Sequence, residues 1–272
     1  MGRRNKSDDD AVVDEVCVMS EQKGHLDRGD GVKLAWRAVK GDGPTVVWLG
    51  GFKSDMTGTK AQALADWARE EGRSYVRFDY SGHGESQGEF RDCTITQWRA
   101  DSLRIIEELT DGPLVLVGSS MGGWLACLVA AAIPERIGAV VLIAPAADFT
   151  DKLLGPSLPP HAVQALREEG VWMTPSGYGA EPYPITRQLL EDGARWSIME
   201  GSVPIEAPVR ILQGGKDPDV PWTHALELAN QIKGDDVVFT LIRDGDHRLS
   251  RPQDIERLLF AAEEACGLCD GG

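Results

Sequence analysis

The chain has 272 residues and a formal net charge of −15, with 28 Lys and Arg against 43 Asp and Glu. This length allows one large α/β domain or one domain with an insertion, and the negative charge argues against nucleic-acid binding, which needs a basic face. No apolar run reaches the roughly 18 residues of a membrane span. The first ten residues turn from basic to acidic without an apolar signal segment, so we expect a cytoplasmic protein.

Strands and helices alternate along most of the chain, which predicts a mostly parallel, doubly wound sheet. Apolar runs bounded by turn residues predict strands at 32–39, 45–49, 75–80, 114–117, 140–143, 209–212 and 237–242. Helical spacing of apolar residues predicts helices at 59–71, 94–109, 124–132, 222–233 and 251–266.

The alternation of strands and helices stops between the predicted strand at 140–143 and the predicted strand at 209–212. Residues 147–200 are rich in proline and hold only short helical pieces, at 161–169 and 185–198. A long insert between two sheet strands often covers a site. We therefore predict a helical lid at 147–200, an α/β core at 23–146 and 201–272, and an N-terminal extension at 1–22.

The pattern G-x-S-x-G occurs at Gly118–Gly122, directly after a buried apolar run and directly before a helix. This strand, turn and helix together are the context of a nucleophile elbow, in which the central serine is presented above the sheet. The two glycines let the helix and the strand approach closely. Ser120, rather than its neighbour Ser119, is the central residue and the predicted nucleophile.

A serine hydroxyl becomes a nucleophile when a base, usually a histidine held by a carboxylate, removes its proton. In this fold the partners follow in the order serine, acid, histidine. Asp217 comes after the strand at 209–212, and His247 comes after the strand at 237–242. The sequence therefore predicts a triad of Ser120, Asp217 and His247.

The other four histidines were weighed as the base. His25 is expected before the sheet and His224 on the surface of a helix. His83 lies in a glycine-rich loop, where support of the backbone is the better interpretation, and His161 lies in the insert, where it is a candidate to line a pocket. His247 is favoured because it alone ends the last strand.

Three further acids compete with Asp217. Asp148 follows the strand after the elbow strand, a place where some hydrolases carry their acid, and it stays open as an alternative. Asp219 is two residues from Asp217 and is expected to point elsewhere, and Asp246 is expected to support the loop that carries His247.

An oxyanion in a tetrahedral intermediate needs two N–H donors that are already in place. The residue after the nucleophile, Met121, gives one backbone N–H, and Phe52 in the loop after the strand at 45–49 gives the other. Gly50 and Gly51 allow the second backbone to come close.

Side chains that contact the substrate are harder to assign. Lys53 and Arg248 flank the site and are candidates to bind a substrate carboxylate, although solvated surface charge explains them equally well. Aromatic residues in the insert are candidates for an apolar acyl pocket or for the core of the lid: Trp172, Tyr178, Tyr183 and Trp196. We expect no metal and no cofactor.

From about Val32 onwards the chain resembles the serine α/β-hydrolases. It is similar in particular to the vertebrate mitochondrial α/β-hydrolase-domain family of palmitoyl-protein thioesterases and mycophenolic acid acyl-glucuronide esterases. The matching stretches are 56–60 (MTGTK), 76–82 (VRFDYSG), 111–113 (DGP), 116–120 (LVGSS), 122–125 (GGWL), 170–172 (GVW), 175–176 (PS), 219–222 (DVPW) and 246–248 (DHR). The resemblance implies the same triad, and cleavage of thioesters on S-acylated protein cysteines and of acyl-glucuronide esters.

We therefore expect a serine hydrolase that cleaves acyl thioesters or carboxylic esters of small molecules or acylated partners, by way of an acyl-enzyme. A hydrolase of C–C bonds or a detoxifying esterase for small esters would use the same triad, and the fold does not choose between these chemistries. An alternative from another class is a binding or receptor protein that keeps the fold and has little turnover.

Overall fold

The computed structural model describes residues 20–174 and 182–270. Eight strands form one sheet in the order β1-β2-β4-β3-β5-β6-β9-β10, and β7 and β8 form a separate antiparallel pair. The strands are β1 (Glu21–Asp27), β2 (Lys33–Val39), β3 (Asp42–Leu49), β4 (Arg73–Phe78), β5 (Leu114–Ser119), β6 (Ile137–Ile143), β7 (Val171–Thr174), β8 (Tyr183–Thr186), β9 (Val209–Gly214) and β10 (Val237–Ile242).

The sheet is parallel from β4 to β10, and only β1 and β2 run antiparallel to their neighbours. The helices are α1 (Thr59–Glu70), α2 (Ile95–Leu109), α3 (Met121–Ala132), α4 (Gly155–Ser157), α5 (Pro160–Glu168), α6 (Arg187–Ala194), α7 (Trp222–Gln231) and α8 (Pro252–Asp270). This is the predicted alternation, and it confirms the α/β-hydrolase fold with a mostly parallel sheet.

The central strands are apolar along their whole length because helices cover both faces of the sheet. On one face, Trp98 of α2 and Trp124 of α3 pack with Leu116 of β5 in one cluster. On the other face, Leu64 of α1 and Leu258 of α8 pack in a second cluster. The carboxyl ends of the parallel strands are left open between these layers, and there the loops form the candidate site.

One strand of the eight-stranded sheet, β1, was not predicted. β1 pairs with β2 over its full length, and it places His25, expected before the sheet, on a strand. Its residues are mostly polar because this strand lies at the edge, and Glu21 at its start pairs with the buried guanidinium of Arg77.

The chain between β6 and β9 contains α4, α5, the β7–β8 hairpin and α6. The helical piece predicted at 185–198 is wrong at its start, because residues 185 and 186 belong to strand β8 and the helix runs only over Arg187–Ala194. Thr186 caps this helix by accepting a hydrogen bond from the backbone N–H of Leu189. In the part of the chain that the structure describes, no helix has the length and apolar character needed to span a membrane.

Candidate active site

The elbow between β5 and α3 holds Ser120 in the left-handed region, with φ of 55° and ψ of −121°. A non-glycine residue in such a conformation is strained, and it persists only where the surroundings enforce it. Here the backbone N–H of Ser120 donates to the carbonyl of Ile143 at 2.9 Å, and the Ser120 carbonyl accepts from Gly123 and Ala146. These three bonds fix the direction of the serine side chain.

The glycines of the elbow are required by close backbone contacts. A Cβ on Gly122 would lie 2.0 Å from the carbonyl oxygen of Leu49, and a Cβ on Gly118 would lie 2.3 Å from the carbonyl oxygen of Gly122. Both distances are well below a van der Waals contact, so helix α3 can only start this close to β3 and β5 with glycine at these positions.

The structure brings the three residues of the predicted triad together. Oγ of Ser120 lies 3.1 Å from Nε2 of His247, and Oδ2 of Asp217 lies 2.8 Å from Nδ1 of the same ring. An ionised carboxylate accepts and does not donate, so Nδ1 carries the proton and Nε2 accepts from the serine hydroxyl. The Asp217 side chain is fully buried, whereas that of His247 is 15% exposed.

Asp217 is held by its own loop. Its Oδ1 accepts hydrogen bonds from the backbone N–H groups of Asp219 and Val220, both at 2.8 Å. Its Oδ2 accepts a further bond at 3.2 Å from the amide of Gln213, the penultimate residue of β9. Gln213 was not singled out from the sequence, and it is fully buried beside the candidate acid.

The alternative acid, Asp148, makes contacts of another kind. Its carboxylate accepts from the hydroxyl of Ser197 and from the backbone N–H groups of Ile198 and Met199. It therefore joins the end of β6 to the end of the insert. Oδ1 of Asp246 accepts from the backbone N–H of Leu249, within the loop that carries His247.

Of the other histidines, His83 and His224 bind backbone groups and His161 lies in the insert. His224, expected at the surface, is buried, and its Nε2 lies 2.9 Å from the carbonyl oxygen of Ala147. His161 packs its ring against Trp172. Burial lowers the pKa of His224, and it lowers the pKa of His83 to about 4.

His83 supports the loop after β3. Its Nε2 accepts a hydrogen bond at 3.2 Å from the backbone N–H of Lys53, and its Nδ1 donates to the carbonyl of Ser81. Lys53 has a φ of 58°, so the neutral ring stabilises a strained residue next to Phe52. The sequence-based interpretation of His83 as a backbone support agrees with these contacts.

The two N–H donors expected for an oxyanion belong to segments that adjoin the serine. A Cβ on Gly51 would lie 3.4 Å from Cβ of Ser120, so the loop that carries Phe52 passes directly against the elbow. Met121 is the first residue of α3. Within 20–174 and 182–270, the structure gives no protein acceptor for the backbone N–H of Phe52 or of Met121.

A cavity of about 430 Å³ opens beside Ser120 and His247. Lys53 and Arg248, predicted to flank the site, both line it. Lys60 and Trp48 line it as well, although neither was selected from the sequence. Lys60 resembles an ordinary surface residue of a helix in the sequence, yet burial lowers its pKa to about 8.

Of the aromatic residues proposed from the sequence as substrate contacts, Trp172, Tyr183 and Trp196 are not among the residues that line this cavity. The indole N–H of Trp196 donates to Thr96 of α2, and the Arg99 guanidinium lies 4.7 Å from its ring. Trp172 packs against His161 within the insert. Tyr178 lies outside the described residues.

An aromatic cluster nevertheless surrounds Phe52. Its ring lies 5.8 Å from Tyr183 of the insert, 5.4 Å from Phe149 and 5.0 Å from Phe90, measured between ring centroids. Phe149 also contacts Trp124 of α3. Phe90 and Phe149 were not noted in the sequence, because Phe90 begins a three-residue 3-10 turn (Phe90–Asp92), Phe149 directly precedes another short turn, and neither residue belongs to a periodic pattern.

One grouping of metal-ligand atoms exists among the described residues, formed by Asp217, Asp219 and His247. A metal ion there would have to displace the hydrogen bond between Asp217 and His247, which already pairs the two groups. The arrangement suits proton transfer from Ser120 better than metal binding.

Comparison with known proteins agrees with this fold. The model of the alpha/beta hydrolase family matches residues 45–258. The mitochondrial palmitoyl-protein thioesterase ABHD10 of Bos taurus is 36% identical over 250 residues, which cover 92% of this chain and 81% of the relative. The human protein of the same name is 34% identical over 250 residues, with the same coverage.

Two solved structures are similar over nearly the whole chain. A protein described as a hydrolase from Agrobacterium vitis S4 is 43% identical with a TM-score of 0.86, covering 91% of this chain and 99% of that one. Mouse ABHD10 is 34% identical with a TM-score of 0.82, covering 89% and 97%.

The names of the ABHD10 relatives place them in mitochondria. These names contradict the expected cytoplasmic location, which was inferred from the acidic N-terminus. The match to the family model and the identity to these relatives show that the chain belongs to the alpha/beta hydrolase family.

Proposed function

We propose that the chain is a serine hydrolase that cleaves acyl thioesters or carboxylic esters through an acyl-enzyme on Ser120. The observation that carries this proposal is the continuous hydrogen-bonded series from Ser120 through His247 to Asp217, with contacts of 3.1 and 2.8 Å. A strained serine at the end of a buried strand, a neutral imidazole nitrogen facing its hydroxyl and a buried carboxylate behind the ring are the parts that acyl transfer needs.

In the first step, Nε2 of His247 takes the proton of the Ser120 hydroxyl as Oγ attacks the acyl carbon. The proton is then given to the departing oxygen or sulfur, and the acyl group remains on Oγ. In the second step, Nε2 of His247 takes a proton from a water molecule as the water oxygen attacks the acyl carbon. The bond between the acyl carbon and Oγ then breaks, the acid is released, and His247 returns the proton to Oγ of Ser120. Asp217 keeps Nδ1 protonated throughout and stabilises the imidazolium that forms transiently.

The backbone N–H groups of Phe52 and Met121 would hold the oxyanion of both tetrahedral intermediates. The structure gives neither group an acceptor among the described residues, and this absence, together with the close packing of Gly51 on the elbow, supports the role. Each such donor contributes about 10²–10³ in rate in comparable enzymes. His83 would act on this step as a positioning residue, because it holds the backbone of Lys53.

The relatives support the choice of substrate class. Several are named palmitoyl-protein thioesterase, and a long apolar acyl group would need an apolar binding surface. The aromatic cluster of Phe52, Phe149 and Tyr183 offers such a surface between the core and the insert. In this proposal the insert predicted at 147–200 acts as the lid over the acyl group.

Labelling with a fluorophosphonate probe tests the proposal. The wild type is expected to be labelled on Ser120 and to hydrolyse p-nitrophenyl and thioester substrates. Ser120→Ala is expected to lose both the label and at least about 10⁴-fold in kcat/KM, whereas Ser119→Ala serves as the neighbouring control and keeps its label. An unlabelled wild type, or a Ser120→Ala variant that is still labelled, would refute the proposed mechanism and favour a binding protein on this fold.

A further inference from the structure

We infer that Gln213 is a positioning residue of the reaction, because its buried amide holds the carboxylate of Asp217 against the ring of His247. Gln213 does not touch the reacting atoms and acts only through the acid. The inference rests on the proposed function and adds a fourth side chain behind the triad.

Gln213 departs from the apolar pattern of its strand. Strand β9 is buried along its whole length and lies between β6 and β10, where apolar side chains are the rule. The other long polar side chain of the strand, Arg210, pairs with Asp236 and Glu264, which are partly exposed. The side chain of Gln213 is fully buried. A residue that contradicts the local pattern in this way is expected chiefly where function requires it.

The amide nitrogen of Gln213 faces three acceptors. Nε2 lies 3.2 Å from Oδ2 of Asp217, 3.0 Å from the carbonyl oxygen of Val220 and 3.2 Å from that of Gly214. An amide oxygen in this place would meet three other oxygens, so the surroundings determine which way the amide points.

The amide oxygen of Gln213 has no such partners. Oε1 is buried and has no hydrogen-bond donor among the described residues. A buried acceptor without a donor is costly, and a methionine of similar length would avoid this cost. The amide at this position is therefore explained by the hydrogen bonds of its nitrogen.

These hydrogen bonds complete the surroundings of the acid. Oδ1 of Asp217 accepts from the backbone N–H groups of Asp219 and Val220, and Oδ2 faces Nδ1 of His247 and Nε2 of Gln213. A carboxylate has about four acceptor positions, so all of them are filled. Because the carbonyl of Val220 also accepts from Gln213, the amide joins both the side chain and the backbone of this loop to the end of β9.

The effect on the reaction follows from burial. The side chain of Asp217 is fully buried, so water cannot replace a lost donor unless the loop moves. Such a movement would loosen the contact between Oδ2 and the ring of His247, which must hold its proton on Nδ1 while Nε2 transfers one. Gln213 is not among the residues that line the cavity beside Ser120, so substrate binding would be unaffected.

Gln213→Met tests the inference on the full chain, with Gln231→Met as the matched control. Gln231 also donates from Nε2 to a backbone carbonyl, that of Met199 at 2.8 Å, and its Oε1 is likewise buried without a donor. Functional sites are counted by titration with a fluorophosphonate, and kcat is measured per site on p-nitrophenyl octanoate. A loss of folding lowers the number of sites but not kcat per site.

We expect Gln213→Met to lower kcat per site by about tenfold, as for a lost hydrogen bond to a charged group, and to leave KM unchanged. Gln231→Met is expected to keep both values. The second readout is the ¹H NMR resonance of the proton on Nδ1 of His247. A loosened pair exchanges this proton with water faster, so the resonance is expected to broaden in Gln213→Met and to stay sharp in Gln231→Met.

A measurement on the wild type does not depend on the folding of a variant. Phosphonylation of Oγ of Ser120 removes the hydroxyl donor from Nε2 of His247 and changes the charge on the ring and on its carboxylate partner. The side-chain amide resonances of Gln213 are therefore expected to shift on phosphonylation, and those of Gln231 to remain in place.

Wild-type kcat per site and a sharp Nδ1 proton in Gln213→Met would overturn the inference and leave the serine hydrolase intact. An amide of Gln213 that does not respond to phosphonylation would overturn it as well. If the wild type is not labelled on Ser120, or if its turnover does not depend on Ser120, the proposed function fails and the role of Gln213 with it.

Discussion

Oδ2 of Asp217 lies 2.8 Å from Nδ1 of His247, whereas the carboxylate of Asp148 is occupied by the hydroxyl of Ser197 and by two backbone N–H groups of the insert. Both aspartates follow strands of the sheet, and the sequence left both open as the acid of the triad. Their hydrogen bonds separate the two roles, because only Asp217 contacts the imidazole.

Replacement of Asp217 by Asn is expected to lower kcat by about 10⁴, because the amide favours the wrong tautomer of His247. Asp148→Asn is expected to lower the free energy of unfolding by about 1–3 kcal/mol, since a buried acceptor of several bonds is altered, and to leave a triad that still reacts with a fluorophosphonate. Steady-state kinetics and urea unfolding distinguish the two. A variant Asp217→Asn with near wild-type kcat would exclude Asp217 as the acid.

Gly122 and Gly267 both lie in helices, but only the first is enclosed. A Cβ on Gly122 would lie 2.0 Å from the carbonyl oxygen of Leu49, whereas a Cβ on Gly267 meets nothing within 4 Å. Gly122→Ala is therefore expected to lower stability by several kcal/mol or to prevent soluble expression, and Gly267→Ala to raise stability by about 0.5–1 kcal/mol. Thermal unfolding measures both, and equal melting temperatures would contradict the packing at the elbow.

His83 makes stability depend on pH. Burial lowers the pKa of its imidazole to about 4, while an exposed histidine titrates near 6.5. Between these values the unfolded chain binds more protons than the folded one, so the contribution of His83 is lost as pH falls through this window. One pKa unit corresponds to about 1.4 kcal/mol, which gives a loss of roughly 3 kcal/mol.

The measurement is denaturant unfolding of the wild type and of His83→Gln at pH 7 and pH 4.5. We expect the wild type to lose roughly 2–3 kcal/mol more than the variant between these values. Burial raises the pKa of Asp79 and of Asp101 near this loop, and these groups act in the opposite direction in both proteins. Equal losses would show that His83 is not buried as a neutral ring.

The parallel core and the elbow could be predicted from the sequence because both have strong local patterns. Buried runs such as the one before Ser120 have few alternatives to a central strand, and the glycines at 118 and 122 mark the turn. The positions of Asp217 and His247 followed from the order of strands alone. Strand β1 was missed, because an edge strand with one solvated face carries mostly polar residues.

Contacts between distant parts of the chain could not be predicted. His224 is buried because its ring meets the carbonyl oxygen of Ala147, which lies 77 residues away in the sequence. Trp196 is bound to Thr96 of α2, a pairing across 100 residues. Lys60 is a third case, because its Nζ donates to the carbonyl oxygen of Arg248, which lies 188 residues away in the sequence. In each case the fold brings two distant residues together, and no local sequence pattern predicts the contact.

The carboxylate of Asp148 binds Ser197, Ile198 and Met199, so the chain leaves the core and returns to it at one point. A segment whose two ends already meet adds little closure entropy when its length changes. Evolution can therefore lengthen, shorten or exchange the intervening residues without moving the sheet or the elbow. Under the proposed function, a change confined to the residues between Asp148 and Ser197 would alter the acyl specificity while the sheet and the elbow keep their positions.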